Sequence, residues 1–242
     1  MNKKQLLDNI AKEQYSVAIK GCEKLYKKRY DYLYEVLRKY FVLGSALELG
    51  CGNGIMTQKI CRDFEKVTAV DGSQVFIDKL KNQLKTSNLR LVNSLFEEFS
   101  PNERFNTIFM THILEHVDAP VNLLNRSKEW LAIGGRVLIV VPNANSLHRH
   151  IGVKLGMLKR KNELNEADRK VGHKRVYTLP LLSRHIQNAG FRIIYKGGCM
   201  LKILSTRQME NWSPELIDAL YATGEDMPEL CSKIYTVAEI SK

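Results

Sequence analysis

Apolar residues recur with a helical period near the start of the chain. Tyr26, Tyr30, Leu33 and Leu37 are separated by four, three and four positions, so they share one face of a helix. This spacing predicts that residues 4–40 are largely helical. Further along the chain, short apolar runs flanked by polar residues and glycines replace the helical period.

Short apolar runs predict seven strands, and segments of helical character separate most of them. The predicted strands cover residues 46–49, 67–70, 89–92, 105–110, 136–141, 191–195 and 234–240. The predicted helices cover residues 55–64, 74–84, 121–131 and 180–188, and another begins at Ser213-Pro214. Ser73 is the predicted N-cap of the second of these helices. Strands that alternate with helices at this spacing form a parallel sheet with helices on both faces. The expected fold is therefore α/β, with a doubly wound, mostly parallel seven-stranded sheet.

A polar and basic segment follows the fifth predicted strand and interrupts the alternation. We expect one domain, residues 1–242, in four parts. These parts are an N-terminal helical cap at 1–42, a core at 43–142, a partly helical lid insertion at 143–177 and the C-terminal part of the sheet at 178–242.

The composition is that of a globular protein, with 44% hydrophobic and 26% charged residues. The charged start of the sequence lacks the apolar centre of a signal peptide, and the most apolar run, Val137–Val141, is too short to span a bilayer. The five cysteines are scattered and form no C-x-x-C pair, which argues against a disulfide framework. We therefore expect a cytoplasmic protein without a membrane span.

The positive charge is concentrated in one region. The whole chain carries a formal net charge of +11, and the segment 148–175 holds nine Lys or Arg against three acids. Such a run is either a solvated basic face or a surface that attracts an anion such as phosphate, carboxylate or nucleic acid.

A glycine-rich loop follows the first predicted strand. The sequence ELGCGNG has the form E-x-G-x-G-x-G, with Glu48, Gly50, Gly52 and Gly54, and Asp71 ends the next predicted strand. Glycines allow a tight turn close to a ligand, and an acid at the end of the second strand can accept the hydroxyls of a ribose. Dinucleotide-binding loops favour G-x-G-x-x-G instead, and an acid beside the loop suits a ligand with an ammonium and a sulfonium better than a pyrophosphate.

These residues resemble the class I S-adenosylmethionine-dependent methyltransferases, in particular the small-molecule branch that includes the ubiquinone-pathway O-methyltransferases. The resemblance is good over 46–141 and looser to Tyr195. It implies a Rossmann-like fold, with S-adenosylmethionine as cofactor and S-adenosylhomocysteine as product. The implied cofactor-binding residues are Glu48, Gly50, Gly52 and Gly54 for the methionine part, Asp71 for the ribose, Ser94 and Leu95 for the adenine, and Thr111 and His112 beside them. The family is often acidic just before the adenine position, where this chain has Asn93-Ser94.

The segment THILEHV contains H-x-x-E-H, the pattern of inverted zinc peptidases. A zinc helix would be cut at both ends, because a strand precedes His112 directly and Pro120 follows soon after His116. In the family that the chain resembles, this segment passes beneath the cofactor. His116 is then either a structural histidine or a general base, and we expect no zinc. Nor do we expect another divalent metal, because the segments after the fourth and fifth strands lack an acidic cluster.

The insertion offers further candidates for binding and catalysis. GHKRVY resembles the segment that borders the acceptor pocket in the family, so His173 is a second candidate base beside His116. The candidate substrate-binding residues are Asn143, His148, Arg149, Arg175 and Tyr177.

The expected function is transfer of a methyl group from S-adenosylmethionine to a small molecule. The acceptor would be a hydroxyl of an anionic compound, such as a sugar nucleotide, a phosphorylated metabolite or a phenol. Alternatives are N-methylation, methylation of tRNA, rRNA or protein through the basic insertion, and a binding protein without activity. Nucleic acid is not expected, because no RNA-binding module is recognisable, and the oligomeric state is left open.

Overall fold

A computed structural model describes residues 2–15 and 20–241 of the chain. The strands are β1 Ser45–Leu49, β2 Lys66–Asp71, β3 Leu89–Asn93, β4 Phe105–Thr111, β5 Leu131–Pro142, β6 Phe191–Leu201 and β7 Cys231–Ile240. The helices are α1 Lys3–Asn9, α2 Glu23–Arg38, α3 Ile55–Asp63, α4 Gln74–Gln83, α5 Pro120–Trp130, α6 Leu147–Lys154, α7 Glu166–Lys170, α8 Leu179–Asn188, α9 Thr206–Met209 and α10 Pro214–Asp226. A π-helical turn, Ile10–Tyr15, follows α1.

The seven strands form one sheet in the order β3-β2-β1-β4-β5-β7-β6. Strands β1 to β5 are parallel, and β7 runs antiparallel between β5 and β6. Their carboxyl ends therefore meet at one edge, where open α/β sheets bind ligands. The predicted fold, a mostly parallel seven-stranded sheet with an insertion after the fifth strand, is confirmed.

Apolar cores cover both faces of the sheet. On one face, Trp130 of α5 and Leu182 of α8 pack with the alternate strand residues Ile139 and Val141. On the other face, α2, α3 and α10 pack against Leu138 and Val140. Because side chains alternate along a strand, each strand residue can be assigned to one of these two faces.

Two predicted boundaries differ from the structure. Strand β6 continues through Gly197-Gly198, where we expected it to have ended at Tyr195. A Cβ on Gly198 would lie 1.8 Å from the carbonyl oxygen of Pro228, so the glycine permits close packing rather than a turn. The helix predicted over 121–131 ends at Trp130, and β5 begins directly after it at Leu131 instead of at the predicted Arg136.

The N-terminal cap is helical on both sides of residues 16–19, which lie outside the described part of the chain. Its first helix is held at the carboxyl edge of the sheet by Asp8. Asp8 Oδ1 accepts hydrogen bonds from the hydroxyl of Ser73 (2.7 Å) and the amide of Val75 (3.3 Å). Ser73 occupies the predicted N-cap position of α4, but its hydroxyl binds Asp8 instead of its own helix.

Every helix within residues 2–15 and 20–241 is too short or too polar to cross a lipid bilayer.

Candidate active site

A cavity of about 420 Å³ opens at the carboxyl ends of β1, β2 and β4. Its walls come from the glycine loop, the segments after β2, β3 and β4, helix α1 and the end of the insertion. The predicted cofactor residues that line it are Glu48, Gly50, Gly52, Asp71, Leu95, Thr111 and His112.

The loop after β1 turns tightly because glycine occupies its critical positions. Gly50 has φ 75°, and its amide donates to the carbonyl of Val70 at 2.7 Å. A Cβ there would lie 2.3 Å from Cδ1 of Ile113, so any other residue would displace the floor of the cavity. Gly54 has φ 82° and precedes α3 without lining the cavity, while packing closely on Leu80. The sequence pattern therefore reports both a backbone conformation and close packing.

Asp71 joins the ends of β1 and β2. Its carboxylate accepts hydrogen bonds from the amides of Gly52 (3.1 Å) and Ser73 (2.8 Å). Asp71 is 8% exposed, and burial raises the pKa of its carboxyl group. A carboxylate offers about four lone-pair sites. Asp71 can therefore hold the loop and still accept the two hydroxyls of a ribose.

Glu48 is a buried acid beside this loop. It is 1% exposed, and burial, with a contribution from the charge of Asp71, raises its pKa to about 8. Its Oε2 atom has no hydrogen-bond partner among the described residues. A buried carboxylate without a partner is costly, and a ligand ammonium would compensate it. Glu48 therefore fits the amino group of S-adenosylmethionine.

The apolar part of the cavity fits a flat base. Leu95, Phe96 and Phe76 line it from the sheet side, and Leu7 and Ile10 line it from the N-terminal cap. The cap therefore supplies cavity residues that the sequence did not reveal.

Ser94 does not line this cavity. Its amide donates to the carbonyl of Asp71 at 3.1 Å and its hydroxyl to the carbonyl of Leu95 at 2.9 Å. Ser94 thus shapes the loop that presents Leu95, rather than contacting the cavity as predicted.

The H-x-x-E-H segment forms a turn rather than a helix. His112 has φ 61°, its amide donates to the carbonyl of Val140 at 2.9 Å, and its Nδ1 lies 3.1 Å from Oε1 of Glu115. The two histidines are therefore not one helical turn apart on a helix face, as the peptidase pattern requires.

The two candidate bases, His116 and His173, come together at the cavity. Their ring centroids are 4.7 Å apart, and His116 lines the cavity. Burial and the neighbouring His173 lower the pKa of His116 to about 3, so its imidazole is neutral near pH 7. His173 Nδ1 lies 3.0 Å from Oδ1 of Asp168, which orients the ring.

Glu115 lies beside this pair and completes a polar cluster. It is fully buried, and burial raises its pKa to about 7. One ligand atom each from Glu115, His116 and His173 lie within 4.8 Å of one another, close enough to hold a metal ion. The expectation that no metal is needed stays a prediction. Burial and the nearby charges of Lys233 and Arg29 lower the pKa of His112, and the same positive charges oppose a divalent cation at this place.

Two arginines of the insertion are tied into the protein. Arg149 is 5% exposed and binds the carbonyl of Lys161 (2.5 Å), the carbonyl of Glu163 and the carboxylate of Asp168 (3.2 Å). Arg175 binds carbonyls of the turn after β4, at Leu114 (2.9 Å), Val117 (2.5 Å) and Asp118 (3.1 Å). Neither guanidinium lines the cavity, and both are held by hydrogen bonds within the protein. The substrate contacts expected of Arg149 and Arg175 stay predictions.

Asn143 and Tyr177 are likewise buried and bound to backbone carbonyl groups of the protein. Asn143 is 2% exposed, and its amide nitrogen donates to the carbonyls of Glu229 and Cys231, both at 2.8 Å. Tyr177 is fully buried, and its hydroxyl donates to the carbonyl of Leu114 at 3.3 Å. These residues support the cavity from behind and do not line it. The sequence could not show that Asn143 and Tyr177 are buried, because both carry polar groups.

Among the described residues of the insertion, Val171, Gly172 and Lys174 reach the cavity. Lys174 also forms an ion pair with Asp118 in the turn after β4. His148 lies outside the cavity lining, and its Nδ1 is buried without a hydrogen-bond partner in the described chain.

An alternating-glycine loop, an acid before it and an acid at the end of β2 define the class of α/β proteins that bind S-adenosylmethionine. A family model described as a methyltransferase domain matches residues 23–196, and the chain belongs to this family. The predicted resemblance to class I S-adenosylmethionine-dependent methyltransferases is confirmed, and with it the enzyme class and the cofactor.

Relatives of known function match part of the chain. A malonyl-[acyl-carrier protein] O-methyltransferase of Ilyobacter polytropus is 31% identical over 94 residues, which is 38% of this chain and 35% of that protein. A mitochondrial ubiquinone biosynthesis O-methyltransferase of Schizosaccharomyces pombe is 27% identical over 134 residues, or 52% of this chain and 49% of that protein. The chain thus spans between a third and a half of the length of these relatives.

Solved structures share the fold along nearly the whole chain. The methyltransferase in a complex with the Haloferax volcanii Trm112 activator has a TM-score of 0.67 at 11% identity, over 96% of this chain and 98% of that one. The N-methyltransferase NodS of Bradyrhizobium japonicum, solved with S-adenosylhomocysteine, has a TM-score of 0.61 at 13% identity over the full length of both chains. At such identities the likeness shows the fold alone.

We predict that Asp71→Asn weakens the affinity for S-adenosylhomocysteine by about 10- to 100-fold, because a charge-assisted pair of hydrogen bonds is lost. Calorimetry measures this, with Asp226→Asn, an exposed acid of α10, as the matched control. Wild-type affinity in Asp71→Asn, or tight binding of NAD by the native protein, would contradict the ribose assignment.

We predict that cofactor binding releases a proton from Glu48. The raised pKa keeps this acid protonated in the free protein at pH 7. An ammonium beside the carboxylate favours the ionised form, so affinity should increase with pH up to about 8 and then level off. Calorimetry of S-adenosylhomocysteine binding in buffers of different ionisation enthalpy counts the proton. Glu48→Gln should abolish this release, and an unchanged proton count in the variant would refute the assignment.

Proposed function

We propose that the chain transfers a methyl group from S-adenosylmethionine to a hydroxyl of a small anionic molecule. The observation that carries this proposal is one cavity that is lined both by the acids Glu48 and Asp71 and by the neutral imidazole of His116. The ring of His173 lies against that imidazole. Two of the relatives are named as O-methyltransferases, which supports the same reaction.

The cofactor supplies a methyl group on a sulfonium, which already has a good leaving group. The protein has to supply proximity, alignment and a site without competing water. The N-terminal cap supports the last requirement, because Leu6, Leu7 and Ile10 line the cavity from above. Asp8 anchors that cap on the N-terminus of α4.

A hydroxyl acceptor has to lose its proton, and the polar cluster can take it. His116 is neutral near pH 7 and so has a free lone pair. Glu115, with a carboxylate oxygen within 4.8 Å of a ring nitrogen of His116, can offset the positive charge that the imidazole gains. An amine acceptor would need only to arrive unprotonated, so a buried proton acceptor favours O-methylation over N-methylation.

The basic composition of the insertion suggested RNA as an alternative acceptor. The contacts of its basic residues support that alternative only weakly. Arg149 and Arg175, two of its nine basic residues, bind the protein's own carbonyl groups. Lys170 and Lys174 form ion pairs with Glu166 and Asp118. We therefore base the anionic character of the acceptor on other cations near the cavity and not on the insertion.

Incubation with S-adenosylmethionine labelled in the methyl group and a fractionated metabolite extract tests the proposal. We expect label in a small molecule, with activity retained in a chelator. His116→Ala should lower kcat by about 100-fold, with a smaller loss at higher pH, where the acceptor ionises more easily. His150→Ala, at a half-buried histidine of α6 that does not line the cavity, is the matched control.

Two outcomes would contradict this account. Binding of S-adenosylhomocysteine without any labelled product would indicate a binding protein. A loss in His116→Ala that does not depend on pH would assign His116 to positioning instead of proton removal.

A further inference from the structure

Three cations from separate elements converge beside the polar cluster. Arg29 lies four residues from both Leu25 and Leu33, so it shares the buried face of α2 that packs on the sheet. Lys233 of β7 lies opposite Pro142 of β5 and points to that same face, because Tyr235, two residues on, packs in the same core. Neither Arg29 nor Lys233, nor the third cation, Lys202, was a candidate in the sequence analysis.

Lys202 joins them from the end of β6. It follows Leu201, which pairs with Cys231, two residues before Lys233. The charges of Arg29 and Lys233 both act on Lys202, and that of Arg29 acts on Lys233. The geometry agrees, because Arg29 Nη1 lies 3.4 Å from the hydroxyl of Thr206, four residues after Lys202, and Cys199, three residues before Lys202, pairs with Lys233. The three residues are therefore neighbours at the carboxyl edge of the sheet.

No ion pair inside the described chain neutralises these cations. Arg29 makes one long hydrogen bond, to Thr206 at 3.4 Å, and lies over the ring of Tyr26 at 5.6 Å, while neither ammonium has a hydrogen-bond partner among residues 2–15 and 20–241. The nearest acids, Glu115 and Asp168, already bind His112, His173 and Arg149. Burial and mutual repulsion lower the pKa of Lys202 to about 7 and that of Lys233 to about 8. Near pH 7.5 Lys202 is therefore partly neutral, and a bound anion would raise its pKa and restore its positive charge.

The cations lie near the cavity without lining it. Lys202 and Lys233 are densely surrounded by protein, yet both keep part of their surface accessible. Tyr30, next to Arg29 in α2, lines the cavity, and so does His112, whose pKa is lowered by burial and by the charges of Lys233 and Arg29. The cations are thus next to the part of the cavity that Tyr30 and His112 line.

Buried like charges without counterions are unfavourable, so their retention indicates a ligand that supplies the opposite charge. A guanidinium presents a planar fork of donors to a phosphate, and ammonium groups act as point charges beside it. A group with two negative charges matches three cations better than a single carboxylate does.

We propose that Arg29, Lys202 and Lys233 form a subsite for a phosphate or phosphonate dianion of the methyl acceptor. This inference rests on the proposed function, since it names the substrate class of the same site. The dianion holds the acceptor by its charged end, and the hydroxyl to be methylated points towards His116.

Binding of inorganic phosphate at pH 7.5, measured by calorimetry with S-adenosylhomocysteine at saturation, tests the subsite. We expect phosphate to bind the native protein more tightly than acetate does. In the double variant Lys202→Gln, Lys233→Gln, phosphate affinity should fall at least tenfold. The control, Lys154→Gln with Lys159→Gln, removes the same charge from exposed positions and should leave it unchanged.

Thermal unfolding is a second measurement, which distinguishes loss of phosphate binding from misfolding of the double variant. Without phosphate, the double variant should melt no lower than the native protein, because the replaced charges repel one another. Phosphate should raise the Tm of the native protein and of the control but not that of the double variant.

The subsite is refuted if phosphate does not bind the native protein, if acetate binds as tightly, or if the double variant binds phosphate as well as the control does. Failure of S-adenosylhomocysteine to bind would instead refute the proposed function. The two failures are therefore distinguishable in one set of titrations.

Discussion

The hydrogen bonds of Asp71 hold together the edge of the sheet on which the rest of the site depends. Its two carboxylate oxygens accept from Gly52, in the loop after β1, and from Ser73, at the start of α4. Its backbone carbonyl accepts from the amide of Ser94, after β3. One residue therefore fixes the ends of three neighbouring parallel strands. The N-terminal cap depends on the same place, because the Ser73 hydroxyl donates to Asp8.

Acids and cations reach the site from different elements. The acids Glu48 and Asp71 line the cavity at the glycine loop, while the charges of Lys233 and Arg29 act on His112, in the turn after β4. A cationic cofactor and an anionic acceptor would each find a counter-charge at the site. The neutral imidazole of His116 lines the same cavity and is free to accept a proton. Steering and orientation thus come from the same arrangement.

The sequence predicted the features that arise from local backbone geometry. Alternating glycines between a strand and a helix can be recognised in a sequence. Gly50 and Gly54 have φ values of 75° and 82°, which other residues adopt only with backbone strain. The parallel sheet followed from the alternation of strands and helices, because parallel neighbours need a helical crossover. Even the assignment of Ser73 to the N-cap position was correct, although its hydroxyl has a different partner.

Features that depend on contacts between distant parts of the chain could not be predicted in this way. Arg149 resembled a substrate contact, yet its guanidinium closes the insertion on itself. Conversely, Lys202 and Lys233 are single polar residues within apolar runs, and only the antiparallel pairing of β6 with β7 brings them together. A lysine at a core position of a strand, or an arginine on the buried stripe of a helix, is the signal that could have revealed them.

A structure of the chain bound to S-adenosylhomocysteine tests the central claim most directly. The account predicts ribose hydroxyls within hydrogen-bond distance of Asp71, the amino group on Glu48 and the sulfur facing the side of His112 and His116. A ligand bound in the opposite direction, with its carboxylate on Lys202 and Lys233 and its base against the glycine loop, would contradict it.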